Sequence, residues 1–161
     1  MIVASDATMG LMFRRGMRGG AIAAAAVAGA LLGFGLRDGM AARPFNAMAA
    51  LVLGNRARGV WVFDAAVSLT GIVVLLLACL AGGALLALVI GAFFPSSRGT
   101  KARLPAFAVA LVTGALTLAL VVTRAPDLVG PSPLGALSIS QGAVLALLAA
   151  VGFASGMGLA R

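Results

Sequence analysis

Three observations predict that this chain is an all-α integral membrane protein with four transmembrane helices. Hydrophobic residues make up 62% of its 161 residues and charged residues only 10%, whereas soluble domains carry about a quarter charged residues. The apolar residues form four long runs, each long enough to cross the roughly 30 Å hydrocarbon core of a bilayer as a helix. The charged residues lie at the ends of these runs and between them. Residues 1–161 are therefore expected to form a single membrane domain.

The first predicted span covers about residues 20–36 and follows an amino-terminal flank, residues 1–19. Arg14, Arg15 and Arg18 lie near the end of this flank. A basic flank is typical of a transmembrane helix, because Arg side chains pair with anionic lipid headgroups. Ser5 and Asp6, near the start of the flank, are possible helix-cap residues.

The connection between the first two spans, residues 37–64, is predicted to contain a short interfacial helix at about residues 44–53. Pro44 suits the first turn of this helix, and Gly54 suits the cap at its carboxyl end. The helix is too short to cross the bilayer, so we expect it to lie at the membrane surface or to dip in and return. The residues expected to meet a partner protein or anionic lipid are Phe45, Met48, Arg56, Arg58, Trp61 and Phe63.

The amino ends of the second and fourth predicted spans carry residues that typically cap helices. Asp64 directly precedes the second span, where its carboxylate is expected to cap the amino terminus of the helix. Ser132 and Pro133 are expected to supply the cap and the first turn of the fourth span. The remaining spans are predicted at about residues 65–94, 104–123 and 133–160.

The distribution of Lys and Arg favours cytoplasmic termini. The side that would hold both termini carries seven basic residues and the opposite side carries five, four of which lie in the connection 37–64. Basic residues concentrate on the cytoplasmic side of multi-pass proteins. The abundance of Ala, Gly and Arg is typical of a GC-rich bacterial genome, so we predict a protein of the bacterial inner membrane.

Small residues recur at every fourth position in the spans and predict faces on which another helix backbone can lie close. In lipid there is little hydrophobic drive between helices, so packing through small residues matters most. The pattern does not distinguish packing within the chain from packing against another subunit. The residues predicted to pack helices together are Gly29, Gly33, Gly82, Gly83, Gly114, Gly142, Ala146, Ala150, Ala154 and Gly158.

The composition argues against catalysis and against a metal or haem site. The chain has no His and no Glu, and its only Cys is Cys79, whereas metal and haem sites use clusters of His, Cys or carboxylates. The net charge of +8 is interpreted as juxtamembrane charge that meets anionic lipids. Nucleic acid is not expected as a partner, because no basic helix face carries interleaved aromatic residues.

Gln141 is the most informative polar residue in a span. A primary amide in or near hydrocarbon is expected to find a hydrogen-bond partner, and a neighbouring helix is the favoured place for it. Ser68 and Thr70 can bond to their own helix backbone. In an alternative interpretation, these two residues and Gln141 line a polar path through the membrane.

Several residues of the first half of the chain carry a resemblance to a known kind of protein. They are Asp38 after the first span, Pro44 with Phe45, the segment ending in Leu53 and Gly54, and Gly71 at the start of the second span. This layout resembles small four-span bacterial membrane proteins of unassigned function, over roughly residues 1–90. In those proteins a His often follows the Gly by about one turn, where this sequence has Leu75. The resemblance implies the four-span architecture and no activity.

These observations favour a non-catalytic accessory subunit that packs against a larger bacterial membrane complex, whether respiratory, photosynthetic or for transport. The expected partners are other membrane protein subunits and anionic lipids. A small oligomeric transporter or pore is the alternative. A further alternative is the binding of lipid, carotenoid or quinone between the helices, which requires no His.

Overall fold

Helices long and apolar enough to cross a membrane make up most of the described chain. The computed structural model describes residues 6–93, 103–124 and 137–158. Four of the helices in this part of the chain, α1, α4, α5 and α6, meet the length and composition of a membrane span. The predicted all-α, four-span membrane fold is therefore confirmed. The helices are α1 (Asp6–Arg37), α2 (Arg43–Leu53), α3 (Asn55–Arg58), α4 (Ala65–Phe93), α5 (Arg103–Arg124) and α6 (Ile139–Gly158).

The four spans form a bundle in which α1 is central. It packs against both α4 and α6, and α6 also packs against α5, whereas α4 and α5 touch only slightly. Along α1, Gly16 lies against Gly83 of α4 and Gly20 against Cys79. Gly19 lies against Gly156 of α6, and Ala23 against Gly152. Higher residue numbers in α1 thus meet lower ones in α4 and α6, so α1 runs antiparallel to both neighbours. We call the end of the bundle that holds α2 and α3 the connection end. The end that holds the amino terminus of α1 is the terminal end.

The observed boundaries agree with the predicted ones for α2, α4 and α5 and differ for α1 and α6. α1 begins at Asp6 and not near residue 20, because hydropathy marks the part of a helix that lies in hydrocarbon, and a helix can continue through basic residues beyond it. α6 begins at Ile139 and not at Pro133. The predicted cap at Ser132 lies outside the described residues.

The amino terminus of α6 is stabilised by a capping box. The N–H of Ser138 donates to the side-chain oxygen of Gln141 at 2.7 Å, and the N–H of Gln141 lies 3.2 Å from the Ser138 hydroxyl. These reciprocal bonds satisfy backbone donors that a helix start leaves without partners. Ser138 and Gln141 thus explain why the helix starts here. The oxygen of the Gln141 amide serves its own helix and not the predicted bond between helices.

Glycines bring the backbones of α1 and α4 into contact. A Cβ added to Gly20 would collide with the carbonyl oxygen of Cys79, and one added to Gly83 would collide with the carbonyl oxygen of Gly16. No larger residue fits at these positions without separating the helices. Gly16 and Gly20 were not among the predicted packing residues, because Gly16 lies among the basic residues of the flank and Gly20 lies at the first position of the predicted span. Their four-residue spacing was the available signal.

The contact between α1 and α6 has the same character. A Cβ on Gly19 would lie 2.9 Å from the carbonyl oxygen of Phe153, and one on Gly152 would lie 2.5 Å from the Cα of Ala23. Gly156 meets the backbone of Gly19. Both close contacts of α1 therefore use the region around residues 16–23. Gly16 and Gly19 of the basic flank are therefore part of the packed core of the bundle.

The predicted packing residues divide into those that pack within the chain and those that do not. Gly83, Gly142 and Ala150 are buried. A Cβ on Gly114 would lie 3.3 Å from that of Ala146, and one on Gly82 would lie 3.5 Å from the ring of Phe153. These contacts support the predicted faces of α4, α5 and α6.

The predicted packing face of the first span is not used within the described chain. Gly29 and Gly33 are exposed, and a Cβ at either position would meet no atom within 4 Å. Ala154 of α6 is only half-buried. Gly158 ends α6, and its packing lies outside what the structure describes. α1 instead packs through the glycines nearer its amino terminus.

We expect Ala150→Leu to lower the free energy of unfolding by about 1–3 kcal/mol through overpacking. Ala150 is fully buried, in a cluster with Leu86, Ala110 and Met157. Thermal or denaturant unfolding in detergent provides the measurement. Val151→Leu is the matched control, since Val151 is the next residue and is exposed. Equal stability of the two variants would contradict the buried packing face.

Candidate functional site

The connection end is organised around Asn46, a buried residue of α2. Its amide nitrogen donates to the carbonyl oxygens of Val60 and Val62, at 2.9 and 3.0 Å. Its amide oxygen accepts a bond of 2.7 Å from the hydroxyl of Ser68 in the first turn of α4. Asn46 is only 1% exposed, so these bonds satisfy a polar group that would otherwise be costly to bury. One side chain thereby joins α2, the segment before α4, and α4 itself.

Local backbone features hold α2 and α4 in place around this residue. The carboxylate of Asp64 accepts a bond of 3.0 Å from the N–H of Val67, which confirms the predicted cap of α4. Gly71 allows the carbonyl of Phe45 to approach α4 where a Cβ would collide with it. Gly54 ends α2 with a φ of 59°, and its N–H donates to the carbonyl of Ala50. Pro44 occupies the first turn of α2, as predicted.

This arrangement leaves an exposed aromatic and basic surface, which we call the platform and define as Arg56, Arg58, Trp61, Val62 and Phe63. All five residues are exposed, Val62 and Phe63 by 75% and 69%. Because Asn46 bonds both Val60 and Val62, it holds Trp61 between two anchored residues. The Arg43 guanidinium lies 4.2 Å from the centre of the Trp61 ring, a favourable cation–π distance.

Two residues predicted to meet a partner lie elsewhere. Phe45 is buried against the bundle. Met48 is half-buried and lines a groove between the helices. Both side chains face inward because α2 packs on α4.

The second feature is an apolar groove between α4 and α5. It exists because these two helices touch only slightly, while α6 forms the third side and Val27 of α1 contributes to the floor. Its volume is about 510 Å³, within the range of roughly 300–1,000 Å³ typical of small-molecule sites. The residues of α4 and α5 that line it include Ala78, Leu86, Val109, Thr113, Thr117 and Val121.

The hydroxyl groups in the groove are already bonded to the backbone. Thr113 donates to the carbonyl of Val109 at 2.9 Å, and Thr117 donates to the carbonyl of Thr113 at 2.8 Å. Such bonds to the preceding helical turn satisfy Ser and Thr in lipid. The groove therefore offers an almost entirely hydrocarbon surface to an occupant.

The residues predicted for a polar path are each used locally. Ser68 bonds to Asn46 at the contact of α2 and α4. Thr70 donates to the carbonyl of Ala66 in its own helix at 2.6 Å. Gln141 lies in the capping box at the start of α6. The structure brings Ser68 into the site at Asn46 and does not join the three residues along one path.

The third feature is the unpaired small-residue face of α1. It consists of Ala21, Ala25, Gly29 and Gly33, and all four residues are exposed. The same helix buries Gly16, Gly19 and Gly20 against its neighbours. α1 therefore carries two faces of small residues, of which the described part of the chain occupies only one.

We compared the chain with protein-family models, curated proteins and solved structures. No protein-family model, curated protein or solved structure matches the chain. Among the residues that the structure describes, no three His, Cys, Asp or Glu side chains lie close enough together to hold a metal ion.

Asn46 was not predicted as a key residue, although its position gave a signal. It is an amide in a short apolar helix, next to Phe45 and three residues before Ala49, both of which are buried. Its partners are two carbonyls and one hydroxyl from segments 14 to 22 residues away. Only the fold places these groups together.

We expect Asn46→Ala to lower the free energy of unfolding by about 1–3 kcal/mol, because it leaves buried polar partners unsatisfied. It should also shift the fluorescence emission of Trp61, the only Trp in the chain, since Val60 and Val62 lose their anchor. Asn55→Ala is the control, because Asn55 is exposed at the start of α3. Unchanged emission in Asn46→Ala would show that the platform does not depend on this residue.

Proposed function

We propose that this protein is a non-catalytic accessory subunit that packs against a larger membrane complex of the bacterial inner membrane, of the respiratory, photosynthetic or transport type. The observation that carries the proposal is the unpaired small-residue face of α1. The partner is a transmembrane helix of another subunit. It would contact the residues Ala21, Ala25, Gly29 and Gly33.

The physical argument rests on what holds helices together in lipid. Lipid tails are as apolar as Leu side chains, so helices associate mainly through close van der Waals packing, which small residues permit. At Gly29 and Gly33 a partner backbone can approach closely, since no atom of residues 6–93, 103–124 or 137–158 lies within 4 Å of a Cβ position. Exposed Ile22 and Leu32 beside the face would supply the side chains that surround such a contact.

The platform supports the same proposal at the membrane surface. Trp61 and Phe63 are exposed aromatic residues next to exposed Arg56 and Arg58, and aromatic and Arg residues are enriched in the contacts that dominate protein interfaces. The capped and hydrogen-bonded backbone around Asn46 presents them on a defined surface. A rigid surface loses less conformational entropy on binding than a flexible loop.

Replacing Gly29 and Gly33 by Leu should release the partner while the chain stays folded. A Cβ at either position would meet no atom of the described chain within 4 Å, and Leu favours a helix by about 1 kcal/mol over Gly. Purification in mild detergent with quantitative mass spectrometry of the accompanying chains measures the effect. The expected result is a stoichiometric partner with the unmodified chain and its loss with the double variant.

The matched control is Ile72→Leu with Val73→Leu, which keeps two exposed positions of α4 apolar. This pair should leave the partner bound. Recovery of the unmodified chain only as a homogeneous homo-oligomer would overturn the accessory-subunit proposal in favour of an oligomeric pore. Retention of the partner by the Gly29 and Gly33 variant would also contradict it.

We also propose that both termini lie in the cytoplasm, as the count of basic residues favours. The platform then faces the opposite side of the membrane, where a membrane-impermeant maleimide should label Val62→Cys in intact cells. Cys79→Ala provides the background, because Cys79 is the only Cys. Arg103→Cys, exposed at the terminal end, should be labelled only after the cells are made permeable. The reverse pattern would invert the orientation.

A further inference from the structure

We propose that the groove between α4 and α5 binds one acyl chain of an anionic phospholipid, whose phosphate is bound by Arg124. The groove and Arg124 lie on a different part of the molecule from the α1 face. This site is therefore independent of the accessory-subunit proposal, and either can fail without the other.

The length of the groove matches a hydrocarbon chain. Its lining on α5 extends from Val109 to Val121, which at 1.5 Å per residue is about 18 Å along the helix. This exceeds half of the roughly 30 Å hydrocarbon core, so a chain can lie along it from one leaflet.

The chemistry of the lining selects a hydrocarbon over a more polar occupant. The side chains are aliphatic apart from Met48, Cys79, Thr113, Thr117 and Phe153. Both Thr hydroxyls already donate to carbonyls of their own helix. A quinone ring would leave its carbonyl groups without donors here, at the usual cost of burying unsatisfied polar groups. An acyl chain has no such groups.

Arg124 lies where the headgroup of that lipid would be. It follows Thr117 by seven residues and Val121 by three, so it continues the face of α5 that lines the groove. It is exposed and ends α5 at the connection end. A guanidinium binds phosphate with two parallel hydrogen bonds, and one turn of helix separates it from the hydrocarbon lining.

The charge at the connection end favours an anionic lipid over a zwitterionic one. Among the described residues, this end carries five Arg and two Asp, and the carboxylate of Asp64 is used to cap α4. Basic residues at the headgroup level attract anionic lipids. The basic residues at this end are Arg37, Arg43, Arg56, Arg58 and Arg124.

The test uses the full chain, purified in mild detergent and freed of lipid. Phosphatidylglycerol and phosphatidylcholine with identical acyl chains are added separately, and native mass spectrometry counts the lipids retained per chain. Melting temperature is recorded in parallel. We expect one retained phosphatidylglycerol and a preference over phosphatidylcholine of about fivefold, as one Arg contact at the headgroup level implies.

Variants separate the two parts of the site. Arg124→Gln should abolish the preference for phosphatidylglycerol and leave phosphatidylcholine retention unchanged. Ala78→Phe should fill the groove and remove retention of both lipids. Ala81→Phe is the matched control, since Ala81 is exposed on the same helix and does not line the groove. If Ala78→Phe does not fold, Thr117→Phe, which is also exposed and in the groove, serves in its place.

Three results would overturn the proposal. The first is equal lipid retention by the groove-filling variant and by Ala81→Phe. The second is a preference for phosphatidylglycerol that Arg124→Gln does not change. The third is a lipid-free dimer that the groove-filling variant dissociates, which would assign the groove to a second copy of the chain.

Discussion

The contact of the α1 backbone with α4 and α6 is the constraint on which the rest of the bundle depends. Gly16 and Gly20 admit the backbone of α4, and Gly19 admits that of α6. Lipid supplies no hydrophobic drive between these helices, so dispersion and shape must hold them, and both require close approach. Because α1 packs against both α4 and α6, α5 packs mainly on α6. α5 touches α4 only slightly, and the groove lies between these two helices.

The connection end is held by a different kind of interaction. In the unfolded chain, water would form hydrogen bonds with the polar groups that contact Asn46. In the folded chain, Asn46 takes the place of that water with three hydrogen bonds of 2.7–3.0 Å. The close approach of the Phe45 carbonyl to Gly71 and the cap at Asp64 act on the same turn region of α4. As a result α2 packs against the bundle, and the aromatic and basic residues that follow it form an exposed surface of defined shape.

Both proposed binding surfaces follow from the contacts that the bundle makes. Among the residues that the structure describes, the unpaired face of α1 remains open because the glycines nearer its amino terminus make the contacts with α4 and α6. The groove remains open because α5 has one strong neighbour and not two. The first surface has the small residues that a helix backbone requires, and the second has the aliphatic lining and basic end that a charged lipid requires.

Composition and periodicity alone determined the class of the protein, the number of spans, the bounds of α2, α4 and α5, and the caps at Asp64 and Gly54. These features depend on local chemistry: hydropathy sets which segments enter lipid, and caps act within one turn of a helix. The tertiary structure decided which small residues pack, since Gly16 and Gly20 are buried and Gly29 and Gly33 are exposed. It also decided that Asn46 joins three segments. A stripe of small residues is the same in sequence whether or not another helix lies on it, and only the positions of the neighbouring helices distinguish the two cases.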